Sequence, residues 1–381
     1  MEMKLALDVS AVPPRLAGAG RYIGELARRV PATGVETTLV TRRDDASRWH
    51  DWSPSTHIAS IIPNARPSRL LYEAWLAGQS STARSVDVWH SPHYTMPHRS
   101  QASTVVTVHD LAFFDRSSHR LRSRMYLGAL TTIAVKRARR IICVSEFTRD
   151  GLVKRFPQVE ERVRVVGEGV ADSFRPQAAG VVDAFRTRHQ LERPYVLFVG
   201  TNEPRKNLPS LVAAFAKVAQ ALPDLRLVLA GGAGWKNDQL DAAIAASGVA
   251  SRVLRTGYLG EGDIPALLRR AAAVAYPAFV EGFGLPALEA LSCGAPLVTS
   301  ENSAMSEITG DAALLVPPLD VNGLAEAIST LVAGGAEVAR RRRQGIERAA
   351  GFTWQLSAAR HLEAYRLAAE RTPSRFGRGP A

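Results

Sequence analysis

YVLFVGTNEPRKNLPSLVAAFAKVAQA, residues 195–221, is the stretch that decides the fold. It begins with the apolar run Tyr195–Val199, continues through a polar loop that opens on Gly200, and ends in a helical pattern over Leu208–Ala221. A short apolar strand without polar alternation is typical of a parallel sheet covered on both faces. The stretch therefore predicts one strand–loop–helix unit of a doubly wound α/β domain.

The same alternation of strand and helix continues on both sides of this unit. Predicted strands of the first half are Leu5–Val9, Thr37–Val40, Val86–His90, Val105–His109, Ile141–Val144 and Val163–Val166. Those of the second half are Tyr195–Val199, Arg226–Ala230, Val253–Thr256, Ala273–Tyr276, Leu297–Thr299 and Ala313–Val316. Predicted helices between and after them are Arg21–Val30, Arg69–Ala77, Leu121–Arg139, Glu146–Phe156, Leu208–Ala221, Asn237–Ala246, Asp263–Arg270, Leu285–Ser292, Glu307–Thr309, Val321–Ala333, Glu337–Ala349 and Thr353–Glu370. The predicted fold class is α/β, with two Rossmann-like domains whose parallel sheets face each other across a cleft.

Between the two domains, the alternation of strand and helix patterns in the sequence is interrupted. Residues 172–194 contain no strand pattern and carry Pro176 and Pro194, which places the join near residue 180. We therefore predict an N-terminal domain over 1–175, a C-terminal domain over 176–352, a closing helix over 353–371 and a disordered tail over 372–381.

The composition excludes several classes of protein. Of the 381 residues, 46% are hydrophobic and 22% are charged, which is the balance of a globular chain with room for two cores. The two cysteines, Cys143 and Cys293, lie in apolar runs and are predicted to be buried thiols rather than a disulfide. No run approaches the roughly 18 apolar residues of a membrane span. The first residues, MEMKLALDVS, predict a strand and no signal peptide, so we expect a reducing cytoplasm.

The charge is the unusual quantity, because 48 basic residues stand against 36 acidic ones and the net charge is +12. Only six of the basic residues are lysine, and the arginine bias can reflect base composition of the genome alone. Most of the excess lies in the first half, which indicates an anionic partner there. Nucleic acid, a membrane surface and a phosphorylated substrate are all compatible with this observation.

Two motifs of the first half lie at expected strand ends. Gly18 and Gly20, in GAGRY at 18–22, precede a helix whose N-terminus could meet an anion, although such a pair is often only a tight turn. His109, in His109-Asp110, ends an apolar run and could hydrogen-bond a substrate hydroxyl or a developing charge. A strand-end histidine bonded to backbone is an equal alternative.

Two motifs of the second half combine charged residues with glycines. The loop from Gly200 to Asn207 carries Arg205 and Lys206, which could clamp a diphosphate or could simply form an exposed basic loop.

The second of these motifs, EGFGLPALE at 281–289, places Glu281 in a loop that can reach sugar hydroxyls. Phe283, Gly284 and Leu285 stand at a helix start, where backbone N–H groups can meet phosphate. Glu289 could accept hydrogen bonds from ribose hydroxyls, or it could be an ordinary helix-dipole partner.

Absent motifs narrow the chemistry further. The sequence has no D-x-D and no Cys/His cluster with metal-ligand spacing, so we expect no metal site. The P-loop and the G-x-S-x-G elbow are also missing, which argues against a P-loop NTPase and a serine hydrolase.

Five segments together resemble the retaining glycosyltransferases of family 4, which have the GT-B fold, and in particular bacterial mannosyltransferases. They are GAGRY (18–22), VHDLAFFD (108–115), CVSEFTRDGL (143–152), GTNEPRKNL (200–208) and EGFGLPALEALSCGAPLVTS (281–300), in the order of the family. The resemblance implies a metal-independent transferase without a cofactor, whose second domain binds a nucleotide sugar and whose first binds the acceptor. It also implies that the last helix crosses back to the first domain.

The resemblance assigns roles to the candidate residues. Arg205 and Lys206 would neutralise the leaving diphosphate, with Gly18, Gly20 and Gly200 close to it. Glu281 and His109 would contact the donor sugar, and Glu289 the ribose. Phe283, Gly284 and Leu285 would present backbone amides. One departure is Thr201, which stands where some relatives have an arginine, so the phosphate clamp is left to Arg205 and Lys206.

The substrates are less constrained than the class of reaction. The resemblance favours GDP-mannose as donor, with UDP-glucose or another UDP-hexose as the alternative, and a saccharide or lipid-linked acceptor in glycolipid or polysaccharide assembly. Residues 116–140 contain eight basic residues and no Asp or Glu, around the apolar MYLGALTTIAV. This segment, with 69–77 as a second candidate, predicts peripheral binding to an anionic inner membrane face. Packing of these apolar residues in the core is the alternative interpretation.

Other classes of protein are compatible with parts of this sequence. A nucleotide-sugar epimerase, a phosphorylase and a degenerate scaffold would share the fold, although no lysine lies in a convincing pyridoxal motif. A basic nucleic-acid-binding protein would explain the charge but gives no reason for the two glutamates of the 281–289 motif. We therefore expect no nucleic-acid partner. The sequence leaves the oligomeric state undetermined.

Overall fold

The structure is a computed structural model that describes residues 3–13, 18–114, 121–176, 191, 193–260 and 262–370. The predicted domain join near residue 180 and the predicted disordered tail at 372–381 lie outside the described residues. Residues 116–120 of the basic segment also lie outside them.

The first half forms a sheet of seven parallel strands in the order β3-β2-β1-β4-β5-β6-β7. The strands are β1 (Lys4–Asp8), β2 (Glu36–Arg42), β3 (His57–Ile62), β4 (Val88–Ser91), β5 (Ser103–Val108), β6 (Arg140–Cys143) and β7 (Val163–Val165). All residues of β4, and all but the first of β1, are buried, as expected of a sheet with helices on both faces.

The second half forms a separate sheet of six parallel strands in the order β10-β9-β8-β11-β12-β13. The strands are β8 (Tyr195–Val199), β9 (Arg226–Ala230), β10 (Val253–Gly257), β11 (Ala273–Tyr276), β12 (Leu297–Ser300) and β13 (Leu314–Val316). The prediction of two parallel-sheet α/β units is confirmed.

Fourteen α-helices are present in the described part of the chain. They are α1 (Ala19–Arg29), α2 (Ala46–Trp52), α3 (Arg66–Trp75), α4 (Ser81–Ser85), α5 (Leu121–Arg137), α6 (Glu146–Arg155), α7 (Leu208–Ala221), α8 (Asp238–Ala246), α9 (Asp263–Arg270), α10 (Leu285–Ser292), α11 (Ala304–Thr309), α12 (Val321–Ala333), α13 (Ala336–Ala349) and α14 (Trp354–Ala369).

Three elements were missing from the predictions. The strand β3 lies at the edge of its sheet, and only two of its six residues are buried, so it lacks the continuous apolar run of the central strands. The helices α2 and α4 have seven and five residues, which is too short for a helical period to be recognised.

The last helix, α14, packs against the first sheet although it follows the second one along the chain. His361 Nε2 lies 2.6 Å from the hydroxyl of Tyr22 in α1, and the hydroxyl of Tyr365 lies 2.8 Å from His90 Nδ1 in β4. All four side chains are buried. This buried network of hydrogen bonds holds α14 against the interior of the first half.

Both cysteines are buried free thiols, as predicted. Cys143 ends β6 and is fully buried, and Cys293 follows α10 and is 4% exposed. Burial raises the pKa of Cys293 to about 12, so the thiol stays protonated and behaves as a small apolar side chain.

Candidate active site

A cavity of about 400 Å³ lies between the carboxyl ends of the two sheets. Every predicted site residue except Gly20 lines it: Gly18, His109, Gly200, Arg205, Lys206, Glu281, Phe283, Gly284, Leu285 and Glu289. These residues come from loops after β5, β8 and β11, from the start of α1 and from α10. Parallel α/β sheets bind ligands at the carboxyl ends of their strands. The predicted residues follow such strand ends, so the fold brings them together around one cavity.

Gly20 is the exception, and its predicted contact with the donor stays a prediction. Gly20 is buried inside the first turn of α1, whereas Gly18 and Ala19 at the start of this helix line the cavity. The first four N–H groups of a helix have no partner within it, so the N–H of Gly20, in the first turn of α1, belongs to the same set of free donors.

The starts of two helices converge on the cavity from opposite halves of the chain. Gly18 and Ala19 belong to the start of α1, and Phe283, Gly284 and Leu285 to the start of α10. Backbone N–H groups and the positive ends of two helix dipoles therefore surround the same space. This arrangement suits an anion.

Two cations of the loop after β8 meet one carboxylate of the loop after β11. Lys206 Nζ contacts Glu281 Oε1, and Arg205 Nη1 lies 3.1 Å from Glu281 Oε2. Arg205 Nε also donates to Glu203 Oε2 at 2.8 Å. The Lys206 side chain is only 9% exposed and that of Arg205 is 21% exposed, so the charges act with little solvent screening.

The burial of Lys206 changes its acidity. Burial, followed by the nearby charge of Arg205, lowers the pKa of Lys206 to about 7, while Glu203 and Asp110 act in the opposite direction. An additional anion beside the ammonium would stabilise its charged form and raise this pKa. The protonation of Lys206 is therefore coupled to anion binding at this point.

His109 is held at the cavity wall by groups on both sides of its ring. Its Nε2 lies 3.0 Å from the carbonyl oxygen of Pro92, and its Nδ1 lies 3.7 Å from Glu168 Oε1. Burial lowers the pKa of His109, but Glu168, with help from the Pro92 carbonyl and Asp110, raises it above the ordinary value. The geometry therefore favours an imidazolium that faces the cavity with a fixed orientation.

The loop that carries Glu281 packs against the end of β5 and the start of α6. The carbonyl oxygen of Gly282 accepts hydrogen bonds from the hydroxyls of Ser145, at 2.5 Å, and Thr148, at 3.0 Å. A Cβ atom at Gly282 would lie 1.7 Å from the carbonyl oxygen of His109, so only glycine permits this approach. The contact joins the two predicted sugar-binding residues, His109 and Glu281, through backbone.

Glu289 lies in α10, where its side chain is only 6% exposed, and it forms an ion pair with Arg21 of α1. The sequence singled out Glu289 for the ribose, and the structure adds a cation from the other half of the chain. Arg21 also lines the cavity.

The cavity is also lined by residues that are not among those predicted from the sequence. Glu168 follows β7 and Tyr258 follows β10, and the cavity is also lined by Tyr94, Gly231 and Gly232. Glu168 and Tyr258 each stand shortly after a predicted strand, so their position in the sequence indicates that they belong to the ligand-binding edge of the sheet. Tyr94 lies further from its strand, and only the folded chain places it here.

A second polar cluster lies at the carboxyl edge of the first sheet. Possible ligand atoms of Asp8, Glu73 and His93 lie within 4.8 Å of one another, a grouping that the sequence spacing does not reveal. The carboxylate of Glu73 already accepts hydrogen bonds from Ser10, at 2.9 Å, and Thr95, at 2.8 Å. The expectation of metal independence stays a prediction.

Two facing parallel sheets with a ligand cavity between their carboxyl ends define the GT-B class of transferases. Residues 16–174 match the family described as Glycosyltransferase Family 4, and residues 182–349 match Glycosyl transferases group 1. The chain belongs to the glycosyltransferases that combine these two regions.

Individual relatives agree with this assignment. The chain is 28% identical to O-antigen chain mannosyltransferase B of Escherichia coli over 388 residues, which cover 96% of this chain and 100% of that protein. Sucrose-phosphate synthase from Thermosynechococcus elongatus superposes with a TM-score of 0.75 at 21% identity, covering 96% of this chain and 98% of the other. HepE from Anabaena, in complex with UDP-glucose, superposes with a TM-score of 0.73 at 17% identity, covering 95% and 100%. The identities to the two solved structures are low, so these likenesses concern the fold.

Proposed function

We propose that this glycosyltransferase moves mannose from GDP-mannose to a saccharide or lipid-linked acceptor, with retention of configuration and without a metal. The observation that carries the proposal is the pairing of Arg205 and Lys206 at a cavity that also receives the starts of α1 and α10. The similarity to an O-antigen chain mannosyltransferase over nearly the whole chain favours mannose and a growing polysaccharide.

The leaving group of such a reaction is a diphosphate, whose negative charge increases as the sugar–phosphate bond breaks. Arg205 can offer two parallel N–H donors to phosphate oxygens, and Lys206 a compact positive charge. Fixed cations and helix starts stabilise this developing charge without reorganisation. Because the chain supplies these charges itself, we expect transferase activity to persist in the presence of a chelator.

The sugar of the donor would lie between His109 and Glu281. Glu281 can accept hydrogen bonds from sugar hydroxyls while Arg205 and Lys206 hold its orientation. An imidazolium at His109 would place a fixed positive charge beside the sugar, since its Nε2 faces the Pro92 carbonyl and its Nδ1 faces Glu168. Retention would follow from attack on the same face as the leaving group, with a phosphate oxygen taking the acceptor proton.

A thermal-shift series with nucleotide sugars tests the donor. GDP-mannose is expected to raise the melting temperature more than UDP-glucose or UDP-mannose does, and a larger shift with a UDP-hexose would reassign the donor. Lys206→Ala should abolish the shift. Lys217→Ala, which removes an exposed lysine of α7, should retain it. An unchanged shift in Lys206→Ala would overturn the diphosphate assignment.

An assay without acceptor separates a transferase from an epimerase. We expect GDP-mannose to remain unaltered apart from slow hydrolysis, because the proposed chemistry requires an acceptor hydroxyl. Conversion to a second nucleotide sugar under these conditions would identify an epimerase instead.

The first half also carries a surface that suits a membrane. Leu71, Trp75 and Leu76, in and just after α3, are 65%, 57% and 57% exposed. The Trp75 ring lies 5.0 Å from that of His98, whose carbonyl oxygen accepts from Arg137 of α5 at 3.2 Å. An apolar patch thus lies beside the end of the basic segment. Within the described residues, no helix is long and apolar enough to cross a membrane.

We propose that this surface binds an anionic leaflet and so presents a lipid-linked acceptor. At low salt, sedimentation with vesicles containing anionic phospholipid should capture the protein, and neutral vesicles should not. Trp75→Ser should weaken capture. Leu319→Ser, at a leucine of the second half that is 75% exposed, provides the matched control. Equal capture of the two variants would contradict the assignment of this surface.

A further inference from the structure

A second cavity, of about 170 Å³, lies beside the first in the second half of the chain. Its walls are the loops that follow β8 and β9, closed by the start of α8 and by Phe279. Glu203 lines both cavities, so the two spaces share a wall. The motif at 200–208 supplies one wall of this second cavity, and none of the sequence motifs covers the opposite wall around Trp235.

The two loops are fixed against each other by close backbone contact. The N–H of Asn202 donates to the carbonyl oxygen of Gly232 at 3.1 Å. A Cβ atom at Gly234 would lie 2.1 Å from the carbonyl oxygen of Asn202, so the approach requires glycine. Lys236 has a φ of 57°, a conformation that costs a lysine energy and persists only when its surroundings impose it. The loops therefore form a preorganised wall.

The side chains of this wall combine ring faces with amide groups. Trp235 and Phe279 line the cavity, and Phe279 is 41% exposed. Asn237 and Gln239 stand beside them and offer both donors and acceptors. The side-chain oxygen of Asn202 is buried and has no hydrogen-bond partner within the described part of the chain. A buried acceptor of this kind is expected to find a donor when a ligand binds.

The charge of the wall indicates the class of ligand. One carboxylate, Glu203, and one ammonium, Lys236, line the cavity, so it favours neither an anion nor a cation. Aromatic faces with convergent amides suit a molecule that has apolar C–H faces and many hydroxyls. A neutral hexose has both properties.

We propose that this cavity is a subsite for a hexose unit of the acceptor saccharide chain, at a distance from the unit that reacts. A sugar ring lies against Trp235 or Phe279, and one of its hydroxyls donates to the Asn202 oxygen. The inference rests on the proposed function in one respect, which is that the acceptor is a saccharide. It adds a contact with the second half of the chain, next to the donor cavity.

Ligand-observed NMR with the full chain tests the subsite directly. The probes are α-linked mannotetraose, maltotetraose and tetragalacturonate, each without a nucleotide sugar. We expect at least one of the two neutral tetrasaccharides to bind, and tetragalacturonate to bind no more tightly than that one, because Glu203 and Lys236 offset each other in the wall. Failure of both neutral probes to bind the wild-type protein, or clearly tighter binding of the anionic one, would overturn the proposal.

Variants assign the binding to this cavity. Trp235→Ala and Gln239→Ala should each weaken binding, the former by at least tenfold. Trp75→Ala removes another exposed tryptophan and should bind as the wild type does. Gln239 is exposed on α8, so its substitution keeps the test valid if Trp235→Ala unfolds. Unchanged binding in Gln239→Ala together with a folded, fully binding Trp235→Ala would refute the subsite.

The same samples separate this proposal from the donor proposal. Lys206→Ala should still bind the tetrasaccharide although it loses the shift with GDP-mannose. Wild-type protein that binds the tetrasaccharide but gives no shift with GDP-mannose would refute the donor and leave the subsite intact. Loss of tetrasaccharide binding in Lys206→Ala would instead place the saccharide in the donor cavity and refute the subsite.

Discussion

Arg21 and Glu289 form an ion pair that joins α1 of the first half to α10 of the second, across 268 positions of the sequence. The Glu289 side chain is 6% exposed and that of Arg21 is 24% exposed, so water screens the pair only weakly. Because both residues line the cavity, this pair connects the geometry of the site to the relative position of the two halves.

A double-mutant cycle measures this connection. Arg21→Met and Glu289→Gln should each lower the free energy of unfolding, and the double variant should lose less than their sum. We expect a coupling energy of about 1–3 kcal/mol from urea unfolding, as for other contacting charged residues. Strictly additive losses would contradict the pair.

The acidity of Lys206 predicts a pH dependence of donor binding. Its pKa is lowered to about 7 by burial and by Arg205, and an added diphosphate raises this pKa. Below pH 7 the ammonium is already charged, so affinity for GDP-mannose should be nearly constant. Above pH 7 the complex must take up a proton, so affinity should fall, by up to tenfold per pH unit.

Calorimetry in buffers with different heats of ionisation would detect the proton uptake. Lys206→Arg keeps a positive charge to a much higher pH and should flatten the profile, even if its affinity is lower. Constant affinity of the wild-type protein between pH 6 and 9 would show that Lys206 remains charged throughout.

Glu168 should act through His109. The raised pKa of His109 depends on this carboxylate, so Glu168→Gln is expected to lower the pKa of His109. Imidazole signals in an NMR titration report this directly, and the pH–rate profile should move to lower pH on its alkaline side. Glu161→Gln, at an exposed position of the same region, should leave both unchanged.

The same pair contributes to stability with a defined sign. Because the pKa of His109 in the folded state is raised, its contribution is fully present below the ordinary pKa of histidine and is lost as pH rises through the raised value. Glu168→Gln should reduce stability more below pH 6 than above pH 8. A loss that is equal at both pH values would indicate a packing role only.

Gly282→Ala should disturb the site through the backbone. The added methyl group would lie 1.7 Å from the carbonyl oxygen of His109, so the loop that carries Glu281 must move. We expect a stability loss of about 1–3 kcal/mol and a reduced thermal shift with GDP-mannose. Gly262→Ala is the matched control, because a Cβ atom there meets nothing within 4 Å. Equal behaviour of the two variants would contradict the close approach.

The sequence by itself determined the class of fold and most of the candidate site. Unalternating apolar strands specify parallel sheets, and ligand residues of such sheets follow their strands, so His109, Arg205, Lys206 and Glu281 were found from local pattern alone. The edge strand β3 and the short helices α2 and α4 were not predicted. Partial burial of β3 and the short length of the two helices leave little periodicity in the sequence.

Only the tertiary structure decided which of these residues act on each other. The pairing of Glu281 with Lys206, the partnership of Glu168 with His109 and the ion pair of Arg21 with Glu289 join distant parts of the chain. The tertiary structure also places Gly18, at the start of α1, in the wall of the cavity, whereas Gly20, in the first turn of α1, is not part of that wall. Local spacing carries no information about such contacts, because they arise where strand ends converge after the sheets have formed.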